Sequence, residues 1–277
     1  LKIHTTIDSR MQRNAEEAMS EHMAALQKSF EAQWRERGSE PWVDGGGYEI
    51  EDFIENKMKR LPLSRALARR YANHPDSVEI MLNRKKRMTV FTWKGDRDTL
   101  FSSMDSLRYY NRFLQAGMMG MDPHTGEVKA WVGGIRHKYF KFDHVRQATR
   151  QPGSTFKPFV YGKAIEEGYS PCHTLLDISP SIRLSDGTIW EPRNSERDKG
   201  SGEKLTFRQG LALSKNTMSA QVIELVRPEN VVEFAHRLGI TTHLEAVPSL
   251  CLGTSDVRLY DMVAAYSSFV NLGIFTE

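Results

Sequence analysis

Ser154 and Lys157 stand three residues apart in the run Arg150–Pro158, Arg-Gln-Pro-Gly-Ser-Thr-Phe-Lys-Pro, and residues of these types at this spacing can do chemistry. A serine hydroxyl titrates far above neutrality, so it attacks a carbonyl only when a neighbouring group takes its proton. A lysine amine on the same helical face can be that base, provided burial or a nearby cation brings it down from its usual pKa of about 10.4. Pro152-Gly153 breaks the chain before the pair and Pro158 is tolerated near a helix start, so the spacing predicts a helix beginning at Ser154 or Thr155. The unpaired N–H groups of its first turn would then point toward the reacting atom. Taken alone, Ser-x-x-Lys recurs by chance, and Ser154 reads equally well as a helix cap.

The second element is Ser214-Lys215-Asn216, within Leu-Ala-Leu-Ser-Lys-Asn-Thr. Serine–lysine nucleophile sites are paired with a Ser-x-Asn loop and a Lys-Thr-Gly strand in penicillin-binding proteins and class A β-lactamases. Further blocks follow the same order: Thr5-Thr6-Ile7-Asp8, Asp122–Val128, Trp131-Val132-Gly133-Gly134 and Glu191-Pro192-Arg193-Asn194. Together they make the chain resemble the transpeptidase domain of a class A, bifunctional penicillin-binding protein. The stretch from about Gln27 to Tyr110 carries no part of the resemblance. The family's third motif, Lys-Thr/Ser-Gly, is absent, since Lys199-Gly200-Ser201-Gly202 has the wrong order. The chain is therefore expected to stop before the last sheet strands.

The resemblance implies an α/β fold, an antiparallel sheet of the penicillin-binding-protein and β-lactamase kind flanked by helices, with the sheet incomplete here. It also implies a reaction. Ser154 would be the nucleophile, acylated by a stem peptide ending in D-Ala-D-Ala or by a β-lactam, and Lys157 the general base. Ser214 would pass a proton between Lys157 and the departing amine, because a hydroxyl both donates and accepts. Asn216 would bind a substrate amide with one end of its side chain and orient Lys157 with the other. Lys215 is expected to point to solvent. The backbone N–H of Ser154 would supply half of an oxyanion hole, where losing one donor typically costs about 2.7–4 kcal/mol. Trp190 and Asn194 lie in the family's cleft-lining segment and would contact the stem peptide; the alternative is a turn fixed by Pro192. The expected function is peptidoglycan cross-linking with no metal or organic cofactor, outside the cytoplasm, in a parent that carries a membrane anchor and a glycosyltransferase domain. Two other readings share the residues: a carboxypeptidase or β-lactamase that gives the acyl group to water, and an incomplete domain that binds without turnover.

Composition agrees with a folded domain and excludes several classes. The 277 residues are 39% hydrophobic, enough for one large or two modest domains, and 38 Lys and Arg against 35 Asp and Glu give no global pull toward nucleic acid. There is no apolar run long enough to span a membrane and no recognisable signal peptide. The nine histidines form no His-Glu-x-x-His pattern, and the two cysteines, Cys172 and Cys251, read as free thiols.

The elements that must position the site follow in order. Lys2–Ile7 alternates like a strand, and Asp8 or Ser9 caps a helix whose apolar stripe runs through Ala15, Met19, Met23, Leu26 and Phe30. Residues 38–102 read as an inserted accessory module, with a glycine-rich start, helices interrupted at Pro62 and a strand over Thr89–Trp93. This leaves 1–37 as a lead-in and 103–277 as the transpeptidase domain. Basic residues between Lys57 and Arg87 form a solvated face or a surface for an anionic polymer. A helix from Asp105 to near Gly117, a hairpin over Met118–Val132 and a string of helices from Phe156 to Phe269 complete the expectation.

Overall fold

The computed structural model describes residues 2–72, 74–195 and 198–275. Lys2–Ile7 forms no strand. Its residues face solvent, Ile3 being 77% exposed, so no buried face rewards the pattern. The segment is tied down instead by Thr6 Oγ1, which donates to the Val128 carbonyl at 2.7 Å, and by the Asp8 N–H on the Lys129 carbonyl at 3.0 Å. Helix α1 (Ser9–Arg37) begins where Asp8 Oδ1 accepts from the N–H groups of Arg10 and Met11, which hold the Asp8 carboxyl below its ordinary range. Its buried stripe is Ala15, Met19, Met23 and Gln27. Leu26, expected in that stripe, is 44% exposed.

The chain divides into two compact units, Leu1–Gln12 with Gly117–Gly133 and Phe142–Glu277, and Arg13–Ala116 with Gly134–Lys141. The second unit contains α2 (Phe53–Arg60), α3 (Pro62–Arg70), α4 (Pro75–Asn83), strands β1 (Lys86–Thr92) and β2 (Gly95–Phe101), and α5 (Ser103–Asn111). Pro62 separates α2 from α3 by standing at the first position of α3, where its missing N–H has no partner to lose. The hairpin runs in register from Lys86 opposite Phe101 to Thr92 opposite Gly95. Ser102 opens α5 with a reciprocal capping box to Asp105, and the helix stops at Asn111, short of Gly117. The basic side chains between Lys57 and Arg87 are exposed.

This unit starts earlier and reaches further than the expected 38–102, and two sets of contacts show why. Gln27, 2% exposed, donates to the Arg112 carbonyl at 3.0 Å and accepts from the Leu114 N–H at 2.8 Å, which ties α1 to the chain beyond α5. Phe91 of β1 packs its ring against Phe113, Tyr139 and Phe140, gathering the 134–141 segment into the same cluster.

The first unit holds the hairpin β3 (Met118–Met121) and β4 (Val128–Val132), with Asp122 Oδ1 accepting from the His124 and Thr125 N–H groups in its turn. Then come β5 (Thr149–Arg150), a 3₁₀ turn over Gly153–Phe156, α6 (Lys157–Glu166), and short strands β6 (Thr174–Leu176), β7 (Ile182–Arg183), β8 (Ile189–Trp190) and β9 (Lys204–Thr206). Helices α7 (Phe207–Ala212), α8 (Asn216–Val226) and α9 (Pro228–Arg237), a second 3₁₀ turn over Pro248–Leu252, β10 (Val257–Arg258) and α10 (Leu259–Val270) follow. Among the described residues every strand pairs antiparallel with a single neighbour, β3 with β4, β5 with β10, β6 with β9 and β7 with β8 in this unit. The fold is α/β with an incomplete sheet.

The core is built around α6. Phe159, Val160 and Ala164 are wholly buried, and α8 contributes Ala220, Val222, Ile223 and Val226 to the same cluster. A helix enclosed in this way keeps its first residue away from water. Among the described residues no helix is long and apolar enough to cross a membrane.

Replacing Gln27 with Ala leaves the Arg112 carbonyl and the Leu114 N–H without these partners in a buried place. The expected loss is about 1–3 kcal/mol of unfolding free energy, read by urea denaturation followed by fluorescence. An unchanged midpoint would show that Gln27 does not fasten α1 to that unit.

Candidate active site

Ser154 and Lys157 are held by a 3₁₀ turn rather than by the first turn of an α-helix. The Lys157 N–H bonds to the Ser154 carbonyl, and in such a turn side chains three apart eclipse one another, so both lie on one face. Lys157 then opens α6, with Pro158 in the first turn as expected. Gly153 enters the turn at φ +59°, and its N–H donates to the Gly253 carbonyl at 3.3 Å. Gly253, at φ +68°, approaches so closely that a Cβ there would fall 2.2 Å from the Gly153 oxygen. Ser154 itself is exposed. Its N–H, second in the turn, has no acceptor within it, the condition an oxyanion donor needs.

Lys157 is wholly buried. Its Nζ meets three oxygens: the Ser214 carbonyl at 2.6 Å, Asn216 Oδ1 at 2.7 Å and Ser214 Oγ at 3.0 Å. Burial brings its pKa down to about 8 from the ordinary 10.5. Cys251, the titratable group whose charge would bear on it, gives no fixed negative charge in return, because burial pushes its thiol up to about 12. Lys157, Ser214 and Asn216 are thus brought together as the sequence led us to expect. Ser154 stands on the same turn, and its hydroxyl is not hydrogen-bonded to Lys157.

The loop that meets Lys157 has an uncommon backbone. Ser214 adopts φ +52°, a left-handed conformation rare for a residue with a Cβ. The turn is fixed by its N–H on the Leu211 carbonyl at 3.0 Å and by the Lys215 N–H on the Gly210 carbonyl at 2.9 Å. Both Ser214 oxygens therefore face the amine.

Three residues sit differently from expectation. Asn194 is 5% exposed, and both ends of its amide are bonded within the chain. Its Oδ1 accepts from the N–H groups of Asn216 at 2.9 Å and Thr217 at 3.4 Å, capping the start of α8, and its Nδ2 donates to Asp198 Oδ1 at 2.8 Å. Asn216 Nδ2, expected to meet substrate, donates to the Arg193 carbonyl at 2.8 Å. Lys215 does not point into solvent, since its Nζ lies 3.7 Å from Asp177 Oδ2 and its side chain is 20% exposed. Trp190 ends β8 half-buried, packed against the core cluster. Cys172 is exposed and Cys251 buried, both free. Among the described residues no group of three His, Cys, Asp or Glu side chains is arranged to hold a metal ion. Asp177, Thr217 and Gly253 escaped the sequence reading because a lone Asp, Thr or Gly carries no spacing signal.

With this geometry in hand, comparison with known proteins is specific. Residues 116–247, which contain the whole constellation, match the penicillin-binding protein transpeptidase domain, and residues 37–114 match the penicillin-binding protein middle domain. The chain belongs to the penicillin-binding proteins. Penicillin-binding protein 2D of Bacillus subtilis (strain 168) is 32% identical over 222 residues, 80% of this chain and 31% of that protein. Penicillin-binding protein 1A of Aquifex aeolicus (strain VF5) is 30% identical over 287 residues, 99% of this chain and 37% of that protein. The chain thus spans about a third of the length of these relatives. The crystal structure of penicillin-binding protein 1A from Haemophilus influenzae superposes with a TM-score of 0.61 at 20% identity, covering 96% of this chain and 41% of that one, and so shares its fold.

The lysine leaves a signature in stability. It titrates near 8 in the folded chain and near 10.5 when unfolded, so as pH rises the folded state sheds this proton first. Stability relative to a Lys157→Met variant should therefore be flat below about pH 8, rise toward pH 10.5 and then level off, as measured by urea denaturation at stepped pH. A flat difference across that window would mean that Lys157 is not depressed.

Proposed function

We propose that this chain is the serine acyltransferase portion of a class A penicillin-binding protein, cross-linking peptidoglycan stem peptides outside the cytoplasm. The observation that carries the reading is the environment of Lys157 Nζ, fully buried and held at 2.6–3.0 Å by oxygens of Ser214 and Asn216. A neutral amine has two N–H bonds and one lone pair. The Ser214 carbonyl and Asn216 Oδ1 are pure acceptors and take the two hydrogens. The third partner, Ser214 Oγ, is a hydroxyl and alone can act as donor or acceptor. The lone pair is thus kept for a proton.

In the first half-reaction Lys157 Nζ takes the proton of Ser154 Oγ as that oxygen bonds to the carbonyl carbon of the penultimate D-Ala residue. The electron pair of the C=O moves to oxygen, which the Ser154 N–H stabilises. As the tetrahedral intermediate collapses, the C–N bond breaks. The departing nitrogen receives the Ser214 hydroxyl proton, and Ser214 is reprotonated from Lys157. An ester on Ser154 and free D-Ala remain. The amine of a second stem peptide then attacks the ester by the reverse route, restoring Ser154. A β-lactam enters the first step in place of the peptide and stays, because its leaving nitrogen is still tethered to the acyl group.

The parent protein would carry a membrane anchor and a glycosyltransferase domain outside the present residues. No cofactor is needed, since every proton and electron pair is accounted for by the chain and its two substrates.

Incubation with benzylpenicillin should add one penicilloyl group to Ser154, seen by intact mass and peptide mapping, and Ser154→Ala should abolish it. Lys157→Met should slow acylation by about 10²–10⁴-fold. In the unsubstituted protein the acylation rate should rise with pH, half-maximal near 8, as Lys157 becomes neutral. With a stem-peptide donor and an amine acceptor, a cross-linked product supports the transferase. Hydrolysis alone would identify a carboxypeptidase, and the absence of any adduct would defeat the reading.

A further inference from the structure

The segment Ser214–Thr217 sends alternate side chains to two different buried groups. Ser214 and Asn216 meet Lys157. Lys215 and Thr217 meet Asp177, with Thr217 Oγ1 donating to Asp177 Oδ1 at 2.5 Å and Lys215 Nζ lying 3.7 Å from Oδ2.

Asp177 follows β6 and is 0% exposed. Its Oδ2 also accepts from the Ser201 N–H at 2.9 Å and the Ser201 hydroxyl at 3.0 Å. Its own backbone is fastened too, with its N–H on the Glu203 carbonyl at 2.8 Å and its carbonyl receiving the Gly202 N–H at 2.9 Å. Gly200 permits this closeness: it adopts φ +106°, and a Cβ there would fall 2.0 Å from the Asp177 oxygen. Burial pushes the Asp177 carboxyl up, but the bonds from Thr217 and Ser201 and the Lys215 charge outweigh it and hold the group ionised below the ordinary range. A carboxylate suits the place because both oxygens accept, one for α8 and one for the 200–203 segment.

We propose that Asp177 is the positioning residue of the site: by clasping the side chains on either side of Asn216, it holds Asn216 Oδ1 and Ser214 Oγ against Lys157. Its effect on rate rests on the acyltransferase reading; its effect on geometry does not. Asp177 touches neither Lys157 nor the reacting atoms, and it acts through the register of the loop. Asn194 Oδ1 accepts from the backbone N–H groups of Asn216 and Thr217 and lies 3.3 Å from Thr217 Oγ1, a longer contact than the 2.5 Å bond that the same hydroxyl gives Asp177.

The test compares Asp177→Asn, Thr217→Val, the two combined and Thr217→Ser in the full chain. Acylation of Ser154 by a fluorescent penicillin, urea denaturation and a crystal structure of each folded variant are the readouts. Asp177→Asn and Thr217→Val should each slow acylation by about tenfold to a hundredfold, the scale on which a misplaced group slows a reaction. The combination should be no slower than the slower single variant, and Thr217→Ser, which keeps the hydroxyl, should restore the rate. In the slowed variants the 2.7 Å contact between Asn216 Oδ1 and Lys157 Nζ should be lost. Should Asp177→Asn fail to fold, Thr217→Val and Thr217→Ser decide the matter alone. An intact contact in the folded variants, or rates that track lost stability without rescue by serine, would overturn the proposal. If the unsubstituted chain takes no penicillin on Ser154, the acyltransferase reading falls, and the crystallographic contact still decides what Asp177 does.

Discussion

An amine without water is the constraint on which the rest of this structure depends. Lys157 carries a group that strongly prefers hydration, yet it opens a helix at the centre of the core. Taking a charge out of water is tolerated only where partners replace the lost hydrogen bonds or where the group becomes neutral. Both occur here. Three oxygens from one downstream loop surround Nζ, and the lack of a carboxylate among them leaves the proton weakly held. Placing an Asp in that shell would keep the lysine charged and useless as a base. A carbonyl, an amide oxygen and a hydroxyl satisfy it without doing so.

The packing of the first unit follows from that need. Helix α8 starts at Asn216, so the helix that supplies much of the core also carries the amide that meets Lys157. The Gly153–Phe156 turn is pressed by the second 3₁₀ turn, after which Gly253 lies against Gly153. Core burial, helix start and turn geometry are therefore one arrangement, and a shift in any of them changes how Ser154 and Lys157 face each other.

What the sequence disclosed depended on whether a residue's role was settled locally. The meeting of Lys157 with Ser214 and Asn216 was legible because short motifs fix both type and spacing, and the β3–β4 hairpin because its turn residues are local. Asn194 caps α8, a contact the sequence did not disclose, since an amide in a cleft and an amide capping a helix look alike until α8 is placed. Lys215 was misread for a related reason: a lysine between two inward-facing residues should point out, but a buried Asp177 waits on that side. Leu26 and Gln27 show the limit of periodicity, because a polar amide took the buried place where two backbone groups needed it and the leucine was left outside. The boundaries of the second unit depended on such long-range partners and could not be drawn from composition.

The left-handed backbone of Ser214 has a consequence for timing. A residue with a Cβ in that region stores roughly 1–3 kcal/mol of strain, which persists only where neighbouring structure imposes it. The chain meets that strain once, as it folds. In the proposed reaction the oxygens around the amine then wait in place from one cycle to the next, and no turnover includes the reorganisation that free solvent dipoles would demand.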